Sequence, residues 1–102
     1  MDYDLIVKPE AEEDLTEIFV WYEKQRKGLG HDFLLQVEAG FPFIEKNPLA
    51  LSKKYKETRR HIVQRFPYAI IYLVEGSKVF VLGVVNGGRD PNWIKKRIKK
   101  FI

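Results

Sequence analysis

The sequence predicts an α+β domain: a helical hairpin packed on one face of a largely antiparallel four-stranded sheet, in the order β-α-α-β-β-β-α. Three observations carry this expectation. Two consecutive segments, residues 9–28 and 31–46, repeat apolar side chains at three- and four-residue steps, the period of one helix face. Three later segments, 59–66, 68–74 and 78–85, are rich in β-branched and aromatic residues, as strands are. Glu75-Gly76-Ser77 supplies a tight hairpin turn between the last two. With 102 residues, the chain has room for one domain, 1–102, with a single core.

The first strand covers residues 3–8, with Tyr3, Leu5 and Val7 on one side and Asp4, Ile6 and Lys8 on the other. Pro9 suits the first position of a helix, where a missing N–H costs nothing. Glu10, Glu12, Glu13 and Asp14 follow where the helix dipole favours negative charge. Ala11, Leu15, Ile18, Phe19 and Tyr22 form the apolar stripe, widened by Trp21, and the helix is expected to stop near Gly28 or Gly30. The second helix runs from about His31 to Lys46, with Asp32 as a candidate cap and Phe33, Leu34, Val37, Phe41 and Ile44 on one face. Pro42 should kink or split it, and Asn47-Pro48 closes it. Residues 51–56 read as a basic loop. After the three strands, Asn86-Gly87-Gly88 ends the sheet, Asp90 caps a last helix, and Pro91 takes its first position. The expected core comprises Ile18, Phe19, Phe33, Val37, Ile70, Tyr72, Val79 and Val81.

Charge is divided unevenly along the chain. Residues 1–50 hold five basic and eleven acidic side chains, whereas residues 51–102 hold thirteen basic and three acidic. Such asymmetry suggests a polyanionic or acidic partner met by one face of the domain. Cysteine is absent, which excludes disulfides and thiolate metal sites. His31 and His61, the only histidines, form no two-histidine helical motif, so no metal is expected. Gly87-Gly88 completes neither a dinucleotide fingerprint nor a P-loop, and no cofactor is expected. Ser52 and Ser77 lie in turns, with no histidine–acid pair signalled beside them. The longest apolar stretch is far below the ~20 residues that span a bilayer, and the first residues are acidic, so a cytoplasmic protein without membrane contact is expected.

What remains is arginine chemistry on a sheet. Arg59, Arg60 and Arg65 lie in or beside one strand, and Arg89 lies where the last strand ends. Alternation places Arg59, His61 and Arg65 on one face and Arg60 on the other. Arginine forks grip phosphate or carboxylate bidentately, so RNA phosphates, an acidic protein segment, or merely solvent are the candidate occupants of such a face.

Arg59-Arg60, then Val63-x-Arg65-Phe66-Pro67-Tyr68-x-Ile70-x-Tyr72, resembles the central signature of ParE-type toxins in the RelE/ParE superfamily of toxin–antitoxin and plasmid-stabilisation systems. Ala11-x-x-Asp14-Leu15-x-x-Ile18, Trp21-Tyr22, Phe33, Asn47-Pro48 and Arg89-Asp90-Pro91-x-Trp93 resemble its flanking pieces, so the likeness covers nearly the whole chain. Asn86 stands where relatives usually carry a histidine. The resemblance implies a RelE/ParE-like fold and the toxin of a type II toxin–antitoxin pair. It implies a cognate antitoxin as partner, DNA gyrase as target and growth arrest as outcome; Arg59, Arg60, Arg65, Arg89 and Trp93 are the target-binding candidates, because arginine and tryptophan are the usual hot spots of a desolvated contact. The RelE-like alternative is a ribosome-dependent mRNA endoribonuclease, with His61 as base and Arg59, Arg65 and Arg89 as cations. In that branch, an arginine and a C-terminal tyrosine would stand where this chain has Ala69 and, near the end, Trp93. A degenerate member that only binds its antitoxin is the third alternative.

Overall fold

The computed structural model describes residues 3–87 and 91–101. In chain order the elements are β1 (Asp4–Val7), α1 (Pro9–Gln25), α2 (Leu29–Lys46), β2 (Lys53–Tyr55), β3 (Thr58–Ile62), β4 (Tyr68–Glu75), β5 (Lys78–Asn86) and α3 (Pro91–Phe101). The strands form one sheet of order β1-β5-β4-β3-β2, in which β1 runs parallel to β5 and every other pair is antiparallel. The α+β class holds, with five strands in place of four. The addition is β2, in the segment expected to be a basic loop. Lys53 and Tyr55 pair with Arg59 and Thr58 across a turn at Lys56, whose φ is 51°. The Thr58 hydroxyl donates to the Tyr55 carbonyl at 2.6 Å, and Lys53 pairs with Glu57 at 2.7 Å. A three-residue edge strand of two lysines and a tyrosine protects the edge but carries no apolar alternation to reveal it.

The helical hairpin is tighter than its sequence suggests. α1 ends at Gln25 and α2 begins at Leu29, two residues ahead of His31. Gly28 takes the left-handed conformation between them, at φ 91°. Asp32 does not cap α2. Instead the Glu23 carboxylate, on α1, accepts the backbone N–H groups of Gly28 (3.1 Å), Gly30 (2.7 Å) and His31 (3.4 Å). These are donors a helix start leaves free, and a negative charge there meets the positive dipole end. The bond from Gly28 is the largest cause of the lowered Glu23 pKa. Pro42 does not split α2, which runs unbroken to Lys46. Pro42 and Glu38 are both exposed, so water can serve the carbonyl that Pro42 cannot.

Both sheet faces are covered. α1 and α2 lie on the face carrying Ile70, Tyr72, Val79 and Val81, with Phe33, Val37 and Ile44 buried against it. Of the expected core, Ile18 and Phe19 are only half-buried. α3 covers the opposite face, where Ile94 and Ile98 pack with Leu73 and Leu82. The β3–β4 connection is anchored by Phe66, whose ring lies 5.1 Å from Tyr22 and 5.3 Å from Phe33. Tyr68 meets Phe33 at 5.5 Å. The Phe66-Pro67-Tyr68 signature therefore fastens the sheet to the helical hairpin. Among the described residues, no helix is long and apolar enough to cross a membrane.

Candidate functional site

β3 distributes its arginines between two environments. Arg59 and His61 face the helical hairpin, and both are half-buried. Arg59 Nη1 donates to the Leu51 carbonyl and, at 3.4 Å, to that of Leu49. The neighbouring Tyr72 hydroxyl donates to the Pro48 carbonyl at 2.9 Å. Arg59 and Tyr72, paired across β3 and β4, thus hold the chain that leaves α2. The His61 ring lies 5.3 Å from that of Phe43. A Cβ at Gly40 would stand 2.9 Å from His61 Nε2, so the glycine creates the seat for the imidazole. Burial lowers the His61 pKa.

The other arginines do not join them. Arg60 takes the opposite face, where Nη1 reaches the Gly87 carbonyl at 3.4 Å. Its Nε is buried without a hydrogen-bond partner among the described residues. Arg65, expected on the face of Arg59 and His61, is not in a strand. β3 ends at Ile62, and Arg65 sits exposed in the following turn with a left-handed φ of 69°. The turn is required because Phe66 must swing into the core while the Val63 N–H closes on the Tyr68 carbonyl at 2.9 Å. Trp93 is half-buried against Ala69, Ile71 and Val85, and the Arg97 guanidinium lies over its ring at 4.3 Å. Arg89, with the expected Asp90 cap, lies outside the described residues.

Sequence reasoning missed a second polar centre. β1 pairs with β5 only as far as Val7 with Val81, so no described strand lies beside the remainder of that edge. Two side chains occupy it. The Asp14 carboxylate of α1 accepts the Val84 N–H at 3.0 Å, as a neighbouring strand's carbonyl would. Arg97 of α3 donates to the Leu82 carbonyl at 2.8 Å, as a neighbouring N–H would. The two then bind each other, Nη1 to Oδ2 at 2.8 Å and Nη2 to Oδ1 at 3.1 Å. Gly83 lies between them, next to the bulge at Leu82. A Cβ there would be 2.6 Å from Arg97 Nη1, 2.7 Å from Trp93 Cη2 and 2.9 Å from Asp14 Oδ2. A glycine inside an otherwise apolar strand was the available signal, since such a glycine often marks a bulge or a close approach. Above this clasp runs an open groove of about 420 Å3, bordered by Glu13, Glu17, Trp21, Tyr68 and Trp93. Trp21 is 55% exposed on its rim. The groove combines an acidic wall with three aromatic rings.

A family model described as the ParE toxin of the type II toxin-antitoxin system, parDE, matches residues 5–91. Among solved structures, one described as the chromosomal ParDE TA system from P. aeruginosa superposes with a TM-score of 0.74. It shares 16% identity, with 82% of this chain and 95% of that chain covered, and so supports the fold alone. No curated protein matches the chain. With the family pattern spanning β1 to the first residue of α3, the chain belongs to the ParE toxin family of type II toxin–antitoxin systems.

Proposed function

We propose that this toxin acts by binding DNA gyrase, and that a cognate antitoxin neutralises it by covering its exposed apolar side chains. One observation carries the choice of a binding mechanism over RNA scission. Arg59 and His61, which a nuclease of this superfamily would turn toward RNA, are engaged by the fold. The guanidinium serves backbone carbonyls, and the imidazole lies under Phe43 and Gly40. A general base must reach the attacking hydroxyl, and scission also needs cations free to stabilise the phosphorane. Arg60, Arg65, Arg89 and Trp93 stand as target-contacting candidates, since arginine and tryptophan dominate interface energetics. For the antitoxin, Val20 and Trp21 on α1 and Leu35 on α2 are 42%, 55% and 62% exposed. These are side chains of the helical hairpin that a partner could cover with apolar burial.

The test runs purified toxin in a gyrase supercoiling assay beside a ribosomal mRNA-cleavage assay. Supercoiling should be inhibited, mRNA should stay intact, and His61→Ala should remain inhibitory. Cleavage of ribosome-bound mRNA by the wild type, together with a folded but inert His61→Ala, would replace this reading with the nuclease.

A further inference from the structure

α3 is two-faced. Ile94 and Ile98 are buried and Phe101 is half-buried, packed with Leu73, Leu82 and Phe80, which fixes the helix's rotation on the sheet. The opposite side presents Lys95, Lys96, Lys99 and Lys100, all exposed. The helix contains no acidic residue, and among the described residues its ion pair belongs to Arg97 rather than to any of these lysines. Lys95 with Lys99 and Lys96 with Lys100 form two parallel i,i+4 rows, each about 6 Å long. Like charges so placed weaken an isolated helix, and an external anion would relieve them. Tyr55 packs against the same apolar cluster and brings the β2–β3 turn, with exposed Lys56, to the inner side of α3 near Ile98 and Phe101. Glu57 in that turn is already paired with Lys53.

We propose that this lysine stripe is a contact surface for the phosphate backbone of duplex DNA. The exposed residues of α3 are Pro91, Asn92 and the four lysines, so the surface offers charge without an apolar anchor. Protein interfaces are depleted in lysine and centred on buried aromatic or arginine anchors, which this face lacks. Recognition of RNA draws on aromatic stacking of unpaired bases and on 2′-hydroxyl contacts. Trp93 and Phe101, the aromatic residues of α3, are instead packed on the sheet. Duplex DNA carries a charge about every 1.7 Å of axis and is bound by charge alone through counterion release. The inference does not depend on gyrase being the target, and its test contains no gyrase.

The experiment is fluorescence anisotropy of the full chain with a short labelled DNA duplex of arbitrary sequence, titrated at several salt concentrations. Four phosphate contacts predict a log–log salt slope of about −3.6. K95Q/K96Q/K99Q/K100Q should lose most of that slope, the matching four-arginine variant should keep it, and K24Q/K27Q on α1 and the hairpin turn should bind like wild type. Thermal melting checks that each variant is folded. Should the four-glutamine variant not fold, K96Q and K99Q singly should each lower the slope by about 1. An unchanged slope in folded glutamine variants would overturn the proposal. So would equal loss in K24Q/K27Q, or competition by poly-glutamate or single-stranded RNA as effective as that by the DNA duplex.

Discussion

Replacing Asp14 by alanine tests whether the clasp at the β5 edge holds the three-layer architecture together. The side chains of Asp14 and Arg97 are only 15% and 16% exposed, so little solvent screens the pair. Truncating Asp14 orphans the Val84 N–H, a loss of about 1–3 kcal/mol for a buried donor. It also removes the partner of a largely buried guanidinium, and breaking such a pair costs about 3–5 kcal/mol. Arg97 would keep the Leu82 carbonyl and the Trp93 face, which places the total near the lower end, about 3 kcal/mol. At about 4–8 °C per kcal/mol for a domain of this size, melting should fall by about 12–24 °C.

The assay is urea and thermal unfolding followed by circular dichroism. Asp14→Asn should lose less than Asp14→Ala, because an amide oxygen can still accept from Val84 while the ion pair is gone. Arg97→Lys should also lose stability, since one ammonium cannot reproduce a fork that reaches both carboxylate oxygens and a carbonyl. If Asp14→Ala melted within 1–2 °C of wild type, the clasp would be an incidental contact, and the account of how α1, β5 and α3 are joined would be wrong.

Two further outcomes follow from the core and from β3. Phe33, fully buried among Tyr22, Phe66 and Tyr68, should cost about 3–5 kcal/mol when truncated to alanine, read from urea midpoints at unchanged m. His61 has a pKa lowered by burial, so the unfolded chain binds its proton more readily than the folded one. Its contribution to stability is therefore full above the unfolded value of about 6.5 and declines as pH falls from there toward the folded pKa. Melting temperatures measured from pH 8 down to 5 should drop less steeply in His61→Gln than in wild type. Equal slopes would show that the imidazole is not desolvated by α2.

The elements legible in the sequence are those whose apolar pattern alone decides the outcome. Phe33, Val37 and Ile44 repeat with the period of a helix, and Ile70 through Val74 form a short β-branched and aromatic run bounded by a turn, as a buried strand does. β2 was hidden because it gains its pairing from the β3 edge rather than from burial of its lysines. The α2 cap was hidden because its carboxylate comes from Glu23, on the other helix, and no local pattern encodes it. Arg65 departs from strand alternation for a related reason: the strand ends at Ile62, because Phe66 and its contact with Tyr22 require the chain to leave the sheet there.

The signature residues divide the same way, and the division explains why family and target are not equally readable. Phe66 and Tyr68 lock the sheet to the helical hairpin, and Asp14 closes the β5 edge. Arg59 binds the chain leaving α2. Each of these is satisfied within the domain, so its presence in a sequence reports the fold and leaves the target open. Residues facing outward, such as Trp21, Arg65 and the lysines of α3, can change without loss of the core. A helix that keeps Ile94 and Ile98 inward accepts many outer faces, and only the chosen side chains decide whether that face meets protein, nucleic acid or water. Substitutions at outward-facing positions, whether inside the motif as Trp21 and Arg65 are or outside it as the lysines of α3 are, should alter target recognition while leaving the melting temperature nearly unchanged.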